Sequence, residues 1–91
     1  MEEQKYINIP YNILRRRDLS NNAKLLYGLV QGFWAGDFQA SNEWIGKTLG
    51  ISSRSAQRAV KELKQQKVIL SQIIVENGAV KGRKITLVKD L

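Results

Sequence analysis

Ser53, Arg54, Gln57, Arg58, Lys61 and Gln65 are all hydrogen-bond donors, and at 3.6 residues per turn they fall on one face of a helix. The other face would carry Ala56, Ala59, Val60 and Leu63. Such a helix packs small and apolar residues inward and turns guanidinium, ammonium, amide and hydroxyl groups outward. Arginine suits the edge of a guanine, glutamine that of an adenine, and serine or lysine a phosphate oxygen. A merely solvated amphipathic helix shows the same pattern. Its surroundings in the chain have to decide between the two.

The charge supports a polyanionic partner. The net charge is +7; residues 1–46 hold five basic and five acidic side chains, and residues 47–91 hold ten basic and three acidic. The whole excess therefore sits in the half that contains the donor face. A one-sided positive field attracts nucleic acid first, with an anionic membrane surface or an acidic protein as weaker alternatives. Catalysis is not expected. With no cysteine and no histidine, the chain lacks disulfides, thiolate sites, the usual general base and the usual zinc ligands. No metal or cofactor is therefore anticipated. The absence of cysteine suits a reducing cytoplasm, the expected location. Leu25 to Ala35 is the longest mostly apolar run, and Gln31 and two glycines interrupt it, so no bilayer-spanning helix is expected.

At 91 residues and 43 % hydrophobic content, the chain suits one domain around one core. Pro10 opens a short helix over Tyr11 to Arg17. A polar break at Asp18, Ser20 and Asn21 precedes a central helix, with Ala23, Leu26, Val30 and Phe33 at helical spacing and Leu25, Leu29 and Trp34 widening the stripe. Phe38 to Ala40 reads as a short extended piece. Ser41 caps a third helix from Asn42 to Leu49, Gly50 ends it, and Ser52 or Ser53 caps a fourth reaching about Gln66. Beyond it, Val68 to Glu76 and Lys84 to Val88 are β-rich. Asn77-Gly78 is a hairpin-type dipeptide, while the whole segment between the strands, Asn77 to Arg83, reads as longer than a tight turn and basic at its far end. The expected class is α/β, mostly α, with three to four helices and a C-terminal β-hairpin.

Gly46, Gly50 and Ala56 stand at the spacing of a helix-turn-helix signature: a small residue, a turn glycine four positions later, and a buried apolar residue six beyond that. Around them, Ala40 to Arg58 resembles the winged helix-turn-helix modules of replication initiators and regulators on plasmids, phages and other mobile elements of Gram-positive bacteria. Tyr6-Ile7-Asn8-Ile9-Pro10, Leu19 to Gly28 and Lys81-Gly82-Arg83-Lys84-Ile85 extend the likeness over nearly the whole chain. The resemblance implies a single winged-helix domain over 1–91, with the helix-turn-helix at about 41–66 and the wing hairpin at about 68–89. It implies a major-groove set of Ser53, Arg54, Gln57, Arg58 and Lys61 and a wing set of Lys81, Arg83 and Lys84. Ser41, Asn42, Lys47 and Ser52 are further candidates for phosphate contact. Gly46 and Ala56 are smaller than the residues usual at those places, which implies closer helix packing or a looser motif.

The implied activity is sequence-specific binding of double-stranded DNA in replication initiation or control, transcription regulation or DNA transfer. A stand-alone regulator or conjugation accessory factor fits the length better than an initiator, which carries a further domain. Homodimerisation and contacts with other replication or transfer proteins stay open. The alternative is a winged-helix protein-interaction module whose basic half docks an acidic partner, with the Gly28, Gly32 and Gly36 stripe serving self-association; those glycines could equally be tolerated in a buried helix. Arg15-Arg16-Arg17 reads either as a cluster at the end of the first helix or as a phosphate contact. Trp34 and Trp44 continue apolar stripes and are expected in the core.

Overall fold

The computed structural model describes residues 7–32 and 38–88, without the side chains of residues 38, 39 and 81. It has an α/β fold of four helices and a three-stranded antiparallel sheet. This architecture is compatible with the expected winged helix. No helix among the described residues is long and apolar enough to cross a membrane.

Helix α1 spans only Tyr11–Leu14, and Arg15 caps it. It is three residues shorter than its sequence suggests because the arginines have other partners: Arg16 donates two hydrogen bonds to the Asp18 carboxylate, and the Arg15 guanidinium lies 5.3 Å from the centre of the Tyr11 ring. Helix α2 spans Asn21–Gly32 and buries Ala23, Leu26, Tyr27, Leu29 and Val30. The Ser20 hydroxyl accepts from the Ala23 amide at 3.2 Å and so caps the helix.

A Cβ on Gly28 would collide with the side chains of Ile7 and Ile9, and the Asn8 amide donates to the Gly28 carbonyl at 3.0 Å. The glycine stripe therefore receives the chain's own extended segment at Gly28, and a second subunit cannot use that position. Gly36, the far end of the stripe, lies outside the described residues, as do Phe33 and Trp34.

Helix α3 spans Asn42–Leu49, with the Ser41 hydroxyl accepting from the Trp44 amide at 3.1 Å. Gly50, at φ +74°, terminates it, and the Ile51 amide reaches back to the Gly46 carbonyl at 2.8 Å. That long back-bond closes the turn. A Cβ on Gly46 would stand 2.7 Å from the Ile51 carbonyl oxygen, so only glycine lets the turn pack this closely. Of the two readings of its small residue, closer packing is the one observed.

Helix α4 spans Ser53–Gln65. Ser52 is its cap, and Ala56, Ala59, Val60 and Leu63 are buried against α2 and α3. The Glu62 carboxylate accepts from both the amide and the hydroxyl of Ser20, which joins α4 to the start of α2. At the C-terminus of α4, Lys67 takes φ +61° and the Val68 amide donates to the Leu63 carbonyl at 3.1 Å.

Strand β1 is Phe38–Gln39, β2 is Ile69–Glu76 and β3 is Ala79–Leu87, in the order β1-β3-β2. The hairpin corrects one expectation. Asn77 (φ +54°) and Gly78 (φ +77°) alone make the turn, as positive φ at both central positions allows, and pairing resumes at once with Glu76 opposite Ala79. Residues 79–83 are therefore strand rather than loop. The register shifts between Ile74, which faces Gly82, and Val75, which faces Val80. Lys81 is thus the extra residue of a bulge. Ile69 and Ile85 are buried and Leu87 packs against the core, so the sheet closes over the helices through one face.

Candidate nucleic-acid interface

The donor face forms as its spacing requires. Ser53, Arg54, Gln57, Arg58, Lys61 and Gln65 are all exposed, because a helix that seats Ala56, Ala59 and Leu63 in the core must turn them outward. Arg54 and Arg58 stand one turn apart, about 6 Å along the axis, and Lys61 follows within another turn. None of the three forms an ion pair among the described residues. Like charges at these spacings cost a helix about 0.2–0.5 kcal/mol per pair, and the only acid on α4, Glu62, is turned to Ser20 instead. The result is a stripe of uncompensated cations with amide and hydroxyl groups among them.

The remaining candidates divide. Lys47, in the last turn of α3, is exposed. Ser41 and Ser52 act as helix caps, Ser52 accepting from the Ser55 amide at 3.0 Å and donating to its hydroxyl at 3.1 Å. The Ser52 hydroxyl proton is thus committed to Ser55, whereas Ser41 only accepts and keeps its O–H for another acceptor.

The hairpin cations do not act as one set. Strand alternation puts Arg83, opposite Ile73, on the core-facing side and Lys84, opposite Gln72, on the other. Arg83 turns inward: its Nη2 donates to Asn42 Oδ1 at 2.8 Å and to the Ala40 carbonyl at 3.2 Å. Burial lowers its pKa from the ordinary arginine value, and its Nε is buried without a partner among the described residues. Two expected contacts, Asn42 and Arg83, are therefore bonded to each other across a groove also lined by Ala40, Ser41, Ile73, Val80 and Gly82. The Lys81 side chain lies outside the described set.

Comparison with known protein families, with curated proteins and with solved structures returns no match. The site's own geometry has to carry the functional reading.

Two features escaped the sequence. The Glu62 bridge to Ser20 could have been suspected, because Glu62 is the one acid on a basic helix. The inward turn of Arg83 follows from its even spacing with Ile85 and Leu87, but only once Asn77-Gly78 is read as a complete turn. Trp44 corrects a third expectation. It is 39 % exposed, because α3 buries Ile45 and Gly46 and the preceding position lies about 100° around the helix.

Proposed function

We propose that the chain is a winged helix-turn-helix module that binds double-stranded DNA, with α4 as the major-groove helix. Arg54, Gln57 and Arg58 supply base preference, and Ser53, Lys61 and Lys47 contact phosphates. The observation that carries this reading is the cationic stripe of α4, unpaired among the described residues and borne on a helix seated in the core through Ala56, Ala59 and Leu63. A solvated face would gain from alternating charge; this one forgoes it. On the hairpin, Lys84 and Lys81 remain the candidates for backbone contact, while Arg83 braces the hairpin against α3. The resemblance to modules of mobile elements suggests a role in replication control, transcription regulation or DNA transfer, where other replication or transfer proteins would be the partners.

The test is a binding titration with a pool of random duplexes at low and near-physiological salt, followed by sequencing of the bound fraction. An enriched motif that survives the higher salt is the expected result. Against that motif, Arg58→Ala should cost about 1–3 kcal/mol and relax one position, whereas Lys47→Ala should weaken all sequences alike. No retention at either salt would overturn the reading.

A further inference from the structure

Strand β2 is an edge of the sheet: β3 covers one side, and among the described residues no strand covers the other. Exposed edges are ordinarily guarded by lysine, proline or an inward charge. This one is not. Ile69 to Val75 contains no charge and no proline, although it lies in the half of the chain that holds the whole positive excess. Leu70, Ile73 and Val75 are 60–65 % exposed, and Val80, opposite Val75 on β3, is 70 % exposed. Alternation sends Leu70 to one face and Ile73 and Val75 to the other. The edge is thus apolar on both faces, and a duplex of phosphates and base edges gives it no match.

We propose that β2 of a second copy pairs antiparallel with this edge and joins two three-stranded sheets into one of six. The charge at the two ends of the strand points to a second copy: exposed Lys67 precedes it and Glu76 closes it, so the edge complements itself when run antiparallel. Two molecules of net charge +7 repel across most of their basic halves and meet at least cost along an uncharged strand. Pairing centred on Gln72 sets Ile69 across from Val75 and Leu70 across from Ile74. It also brings Glu76 of each copy beside exposed Lys67 of the other. The backbone edge of eight residues supplies the hydrogen bonds of the pairing. The pairing does not depend on DNA binding; where both hold, a two-fold axis relates the two α4 helices and the DNA site should be two-fold symmetric.

The experiment is sedimentation velocity without DNA, from about 1 µM to about 1 mM, on the wild-type chain and on the Ile73→Lys and Val75→Lys variants. Both side chains are exposed, and circular dichroism checks that each variant folds. The wild-type mass should rise with concentration from 10.4 kDa toward twice that, and either lysine should weaken association at least tenfold. Amide exchange in the wild-type chain alone should slow along 70–75 as the dimer forms, which keeps the test valid if a variant misfolds. A chain that stays monomeric throughout, a dimer indifferent to both lysines, or slowed exchange confined to other elements would each overturn the proposal. None of these outcomes bears on the DNA titration.

Discussion

Replacing Arg83 separates two roles that one arginine on a hairpin could have. As a brace, it contributes a 2.8 Å bond to Asn42 and a 3.2 Å bond to the Ala40 carbonyl. Bonds from a charged donor contribute about 1.5–3 kcal/mol each when buried. Arg83 is only half-buried, and water can reach the groove once the side chain is gone, so about 1–2 kcal/mol for the pair is the reasoned loss in Arg83→Ala. In a domain of this size each kcal/mol is about 4–8 °C in Tm, which puts the expected drop at about 4–16 °C. As a phosphate contact, the same side chain would leave stability unchanged and reduce the slope of log affinity against log salt by about 0.9. Urea titration and thermal melts measure the first effect, and DNA titration across a salt series the second. A variant that unfolds at the wild-type midpoint while its salt slope falls by about one would refute the brace. Arg83→Lys sharpens the comparison, because it keeps the charge and loses the guanidinium geometry; it should recover little stability.

Gly46→Ala should destabilise despite the usual preference of alanine in helices. The propensity gain of about 1 kcal/mol is outweighed by a Cβ at 2.7 Å from the Ile51 carbonyl oxygen, an overpacking typically costing about 1–3 kcal/mol; a midpoint in urea at or above the wild-type value would contradict this. Lys67→Gly should raise stability by about 0.5–1 kcal/mol, since Lys67 holds φ +61° at the end of α4, where a side chain is strained and glycine is not. A lower Tm for that variant would show that the lysine stem contributes more than its backbone costs.

Where α3 and α4 lie and which face α4 buries could be read from the chain before any coordinates, whereas Trp44 of α3 was expected in the core and is exposed. Apolar periodicity, the caps Ser41 and Ser52, and Gly50 act within one or two turns of themselves, so neighbouring residues suffice to place α3, α4 and the outward stripe of α4. The end of α1 was less legible, because Arg15 and Arg16 found partners in Tyr11 and Asp18 that compete with one more helical turn.

Contacts distant in the chain belonged to the tertiary structure alone. Glu62 meets Ser20 across 42 positions and Arg83 meets Asn42 across 41; no local pattern encodes such a pairing. The sequence showed a basic C-terminal half, but strand register decided which of its cations face outward. A turn of two residues rather than seven moves Arg83 onto the core side of β3, and alternation then separates it from Lys84. The crossing of Ile7 to Ile9 over Gly28 follows the same logic: the glycine spacing offered a place for close approach, and the packing of the whole chain chose what would fill it.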